Sequence, residues 1–182
     1  MGQWDLLIAN PPCTFLSNVA TRSFSLRVTP ADKVVNRWEE RAKAAVFFMR
    51  FALADCQRIA VENPVGFMNT AFRKPDQVIH PYMFADSVND NEQYVTKATC
   101  LWLKGLPLLQ ANGLPKPDNA SIFGVLPSGK SRVWEGTFTR SSKTRSKTFR
   151  GISAAMADQW GTDKPKLGQL NLFDDMEEIY DS

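Results

Sequence analysis

The chain opens with a short apolar run, Leu6 to Ala9, that stops at Asn10-Pro11-Pro12. Proline has no N–H for a ladder and fixes the direction of the chain, so this pattern predicts a buried strand with a defined exit. Residues 14 to 30 carry Ser, Thr and Asn without periodicity, and Pro30 closes them as a long loop. Beyond Pro30 the period changes. Val34, Val35, Trp38, Ala42, Ala45, Val46 and Met49 recur at helical spacing among charged residues, which predicts one amphipathic helix. Ile59 to Val61 repeats the opening design, a short apolar strand ended by Glu62-Asn63-Pro64. Strand, helix and strand in this order predict a βαβ unit with a right-handed crossover. "ATCLWLKG", from Ala98, predicts a third strand, and a Pro- and Gly-rich stretch follows over 105–129. Residues 130 to 149 are polar, basic and aromatic, consistent with short strands or loops. "GISAAMADQW", from Gly151, predicts a short helix with Ile152, Ala155 and Met156 on its apolar face; after Gly161 the periodicity ends in a tail. The fold class expected is α/β, with a domain over residues 1–161 and a tail over 162–182.

Composition narrows the setting. The 182 residues, 43% hydrophobic and 23% charged, suit one globular domain with its own core. No apolar run approaches the roughly 20 residues of a membrane span, and the N-terminus lacks the basic-then-apolar order of a signal peptide. Cys13, Cys56 and Cys100 are odd in number and have no paired spacing, which points to a reducing cytoplasm rather than a disulfide framework. With His80 as the only histidine and no CxxC, a zinc site is not expected.

The chemistry gathers at the strand ends. In open α/β sheets ligands bind beyond the carboxyl ends of the strands, and two such ends deliver Cys13 and Glu62. A thiolate is a strong nucleophile, and a neighbouring carboxyl group can donate or accept a proton. Pro11-Pro12-Cys13 resembles the nucleophile motif of DNA cytosine-5 methyltransferases, and Glu62-Asn63-Pro64 resembles their Glu-Asn-Val motif, in the same order and spacing. "WDLLIANPPCTFLSN", "RIAVENP", "KATCLWLKGLP" and "KTFRGISAAMADQW" together resemble the phage-associated branch of that family, over about residues 4 to 160.

The resemblance implies a Rossmann-like methyltransferase sheet acting on double-stranded DNA with S-adenosylmethionine. Cys13 would attack C6 of a flipped cytosine, and Glu62 would bond N3 and the exocyclic amine. Asn10, Pro12, Thr14, Asn63, Lys97 and Thr99 would line or support the base, with Ser17 and Asn18 on a loop closing over it. Lys97 and Thr99 stand where the family carries Gln-x-Arg-x-Arg. The family also places a Phe-x-Gly-x-Gly turn and several cofactor-binding strands ahead of Pro-Pro-Cys, whereas nine residues precede Asn10 here. The resemblance therefore implies a partial sheet with an exposed edge, completed by a second polypeptide or a homo-oligomer, a remnant that binds without turnover, or a truncated product of an ordinary member. A rival reading takes Asn10-Pro11-Pro12 as the (Asp/Asn)-Pro-Pro-aromatic motif of the N6-adenine and N4-cytosine methyltransferases, with Cys13 at the aromatic position.

Two further stretches suggest partners. From Lys130 to Arg150 there are seven basic residues against Glu135 alone, with Trp134, Phe138 and Phe149 among them. Lys130, Arg132, Arg140, Lys143, Arg145 and Lys147 are thus candidates for DNA phosphates, within a recognition segment at 105–150. In the acidic tail, Gln169, Leu170, Leu172 and Phe173 of "GQLNLFDD" resemble the peptide by which bacterial DNA enzymes dock on the replication sliding clamp. The reading from a different class is then a non-catalytic DNA- and clamp-binding phage protein that interferes with host replication or defence. It needs the basic segment and the tail but not Cys13.

Overall fold

The computed structural model describes residues 4–90, 92–118 and 149–161. The chain is mixed α/β, with helices and a four-stranded mixed sheet. Strand β1 (Leu7–Ala9) is followed by a 3-10 segment (Asn18–Phe24) and the long helix α1 (Ala31–Ala52). Then come β2 (Ile59–Pro64), the single turn α2 (Met68–Ala71), β3 (Gln77–Ile79), a 3-10 turn (Pro81–Phe84), β4 (Thr99–Lys104) and α3 (Arg150–Trp160). The sheet order is β1-β2-β4-β3. The expected strand–helix–strand unit forms, with Leu7, Ile8 and Ala9 paired in parallel to Ile59, Ala60 and Val61. Strand β4 runs antiparallel to β2, with Asn63 opposite Cys100 and Glu62 opposite Leu101. Among the described residues, β1 stands at one edge of this sheet and β3 at the other.

Helix α1 starts directly after Pro30, and Asp32 in its first turn and Arg50 in its last complement the helix dipole. Its buried line is Val34, Arg41, Phe48 and Ala52, which differs from the expected face: Val35, Trp38 and Val46 are exposed. The sheet beneath is narrow, so only the central stripe of a broad apolar arc finds cover, and Arg41 lies on that stripe. Phe48 packs edge-on against Trp102 of β4, ring centroids 5.1 Å apart. Around them Leu16, Ile59, Val61, Met68 and Cys100 close the core of the first compact unit. Truncating an aromatic at its centre, such as Phe48, belongs to the class that costs about 3–5 kcal/mol.

The described residues fall into two compact units, divided near Ile79, Thr99 and Leu109. In the second, α3 buries Ile152, Met156 and Trp160. Its Gly151 comes so close to the Phe84 carbonyl that a Cβ there would stand 2.0 Å from the oxygen. No helix among the described residues is long and apolar enough to cross a membrane. The long loop expected at 14–30 contains the 3-10 segment, and β3, flanked by polar residues, had no apolar run to announce it.

Candidate active site

The carboxyl end of β1 is built from short-range parts. Ala9 pairs with Val61, so Asn10 and Glu62 occupy the next step of the two parallel chains. Pro11 is buried, whereas Pro12, Cys13 and Thr14 are exposed. The Cys13 carbonyl accepts the N–H groups of both Leu16 and Ser17, each at 3.0 Å, which folds the chain back immediately behind the thiol.

That turn is fastened from three sides. Within β2, Asn63 is 2% exposed, and its side-chain amide donates to the Pro11 carbonyl at 2.9 Å. The loop after β2 binds the far side: Phe67 N–H donates to the Leu16 carbonyl at 2.7 Å, and Asn18 N–H to the Val65 carbonyl at 3.1 Å. Gly66 faces Ser17 in an isolated bridge between them. From α1, Arg41 Nε donates to the Phe15 carbonyl at 2.9 Å. Buried polar groups hold position only when paired, and here the pairs converge on one exposed cysteine. Ser17 and Asn18, expected on a closing loop, are tied to the β2 exit.

Glu62 is half-buried and lies inside β2, which extends to Pro64 instead of ending at Val61. Its charge is felt at Cys100: burial pushes that thiol up, the negative Glu62 adds to the rise, and the Asn69 amide opposes it. Asn69 Nδ2 lies 3.5 Å from the Cys100 sulfur. Cys56 is also buried, its sulfur 3.2 Å from both the Trp4 and Arg58 carbonyls and able to donate to one at a time. Exposure thus separates Cys13 from the other two thiols. Iodoacetamide applied to the native protein is expected to alkylate Cys13 first, with Cys56 and Cys100 protected until unfolding. Peptide mass spectrometry reads this directly, and equal labelling of all three would refute the assigned burial.

The remaining predicted residues are placed unevenly. Asn10, Pro12 and Thr14 flank Cys13 on the exposed stretch, and Asn63 supports it from inside. Thr99 is buried opposite Pro64 at the start of β4. Lys97 belongs to the second unit, its ammonium 5.2 Å from the Phe149 ring centroid. Lys130, Arg132, Arg140, Lys143, Arg145 and Lys147, and the docking residues Gln169, Leu170, Leu172 and Phe173, lie outside the described residues.

Two contributors gave little sign in the sequence. Arg41 reads as one more charge on a polar helix face, and Gly66 as an ordinary loop glycine. A glycine two residues after Glu-Asn-Pro was the one available hint of a close approach. No protein-family model, curated protein or solved structure matches the chain.

Proposed function

We propose that this chain carries the base-side chemistry of DNA cytosine-5 methylation, with Cys13 as nucleophile and Glu62 as the acid that activates the base. The observation behind this reading is the Asn63–Pro11 hydrogen bond, which joins the two motifs and fixes an exposed thiol at the sheet end shared with Glu62. In this reading β1, α1 and β2 are part of a Rossmann-like sheet, and the base reaches Cys13 by leaving the duplex stack.

The steps follow from the groups present. The Cys13 thiolate adds to C6 of cytosine, and the displaced electron pair moves through the ring while Glu62 gives its proton to N3. C5 becomes enamine-like and takes an electrophile. A base then removes the original C5 proton, the C5–C6 double bond re-forms as the thiolate leaves C6, and N3 returns its proton to Glu62, restoring the ring, the carboxyl group and the free cysteine. In the family that the chain resembles, S-adenosylmethionine supplies a methyl group as that electrophile.

The amino-methyltransferase reading fares less well. It draws on the Asn10 side chain and a backbone carbonyl of the Asn-Pro-Pro stretch and gives Glu62 no part. The cysteine reading uses both motifs.

A test need not involve the methyl donor. In D2O the enamine carbon takes a deuteron, so DNA incubated with the protein should gain deuterium at cytosine C5, read by mass spectrometry of the released nucleosides. DNA that is bound yet gains no deuterium would sink the cysteine chemistry and leave the non-catalytic DNA-binding alternative.

A further inference from the structure

The turn that carries Cys13 rests on an unbalanced pair of cations. Arg37 and Arg41 lie one helical turn apart on α1, and the charge of Arg37, after burial, pushes the Arg41 guanidinium below its usual value. Arg41 is only 6% exposed, yet it meets rings in place of a carboxylate. Its guanidinium carbon stands 3.5 Å from the Phe24 centroid, 5.0 Å from that of Trp38 and 4.9 Å from that of Phe67. Arg37 stacks likewise, 5.3 Å from the Phe15 centroid and 5.0 Å from that of Phe24. Neither guanidinium has a carboxylate partner among the described residues. Arg37 Nε is buried there with no hydrogen-bond partner. The local sequence supplies no relief, since residues 6–31 contain Arg22 and Arg27 but no Asp or Glu.

Charges withdrawn from water are ordinarily paired, and two like charges on successive turns oppose helix formation. Aromatic rings engage a guanidinium without supplying a hydrogen-bond acceptor, so with Nε buried it is the terminal N–H groups of the half-buried Arg37 that remain for a ligand. Those donors form the fork that fits a phosphodiester. The rings beneath them are not incidental either. Phe15 is two residues from Cys13, and its carbonyl is the one Arg41 holds.

We propose that Arg37, backed by the charge of Arg41 and seated on Phe15 and Phe24, binds one backbone phosphate of the DNA strand that presents the cytosine. The proposal rests on the cysteine reading for the identity of the strand. An anion there supplies the missing counter-charge and fixes the register of the strand against the Cys13 turn. Binding of that phosphate and placement of the thiol are thereby one event, because the same aromatic platform carries both.

The test uses the full chain and a duplex with a single unpaired cytosine, in which the flanking phosphates are replaced one at a time by neutral methylphosphonates. For the wild-type protein, one position should weaken binding about tenfold, the loss of one charge-assisted contact. In Arg37→Gln that position should cost less than about twofold, and the slope of log K against log salt should fall by about 0.9, the share of one phosphate. Equal losses for both proteins at every position would overturn the phosphate site, as would an unchanged salt slope. Because the scan also runs on the wild type, a poorly folded variant does not decide the matter: no sensitive position near the cytosine overturns the site by itself. Deuterium uptake separates this proposal from the reading beneath it. Uptake without coupling removes the phosphate site alone, and coupling without uptake removes the cysteine chemistry alone.

Discussion

Cys13→Ser is expected to abolish deuterium uptake at cytosine C5, and Glu62→Gln to lower it by about 10²–10⁴-fold. The two losses differ because the two groups do different work. A serine hydroxyl remains protonated near neutral pH and is a far poorer nucleophile than a thiolate, so the covalent adduct does not form. The expected fall is on the order of 10⁴-fold or more, to background. In Glu62→Gln the side-chain amide still donates a hydrogen bond to the ring but cannot transfer a proton to N3, so addition continues slowly. A loss of about 10²–10⁴-fold corresponds to roughly 3–5 kcal/mol of barrier. The change at Cys13 should not disturb the fold much. Cys13 is exposed, and substitutions at such positions stay within about 0.5 kcal/mol. Melting curves that coincide with wild type therefore establish that the loss is chemical. Wild-type uptake in Cys13→Ser would remove the nucleophile, and with it the reason for the Pro-Pro-Cys geometry.

The parts of this arrangement that the sequence disclosed are those governed by local pattern. Proline after an apolar run ends β1 where expected, and the helical period of residues 31–52 marks α1. The pairing of two like strand ends followed from the parallel register, which sets Glu62 one step past the Ala9–Val61 pair. What stayed hidden is what depends on contacts distant in sequence. Nothing in "EERAK" shows that Arg41 would be buried, because its partners Phe15, Phe24 and Phe67 come from separate segments. Strand β3, with only Val78 and Ile79 apolar, gains its place from its position beside β4 rather than from its own composition. The partner of Asn63 was similarly invisible: the motif offered it as a residue lining or supporting the base, while its amide is directed at Pro11.

Gly66→Ala should be among the most damaging single methyl groups in the first unit. A Cβ at that position would lie 2.0 Å from the Leu16 carbonyl oxygen and 2.8 Å from the Ser17 Cα. Both are backbone atoms, so no rotamer change can make room. Relief requires the loop after β2 to move away from the Cys13 turn, breaking the Phe67–Leu16 and Asn18–Val65 hydrogen bonds. Asn69, whose side chain accepts the Gly66 N–H at 2.9 Å, resists that movement. The cost expected is about 3 kcal/mol, or roughly 6–12 °C in melting temperature for a domain of this size. The effect on chemistry should exceed the effect on stability. Even well below the melting point, a turn displaced by about 1 Å loses on the order of 10² in rate, because the thiolate no longer meets C6 in line. Gly113→Ala provides the contrast: its φ of 83° strains an added side chain, but nothing lies within 4 Å of the new Cβ. That variant should lose about 1–2 kcal/mol from the backbone alone and keep its deuterium uptake. Should Gly66→Ala melt with wild type and exchange at the wild-type rate, the turn is not held by this contact. Cys13 would then be aimed by the prolines and Asn63 without help from the β2 exit.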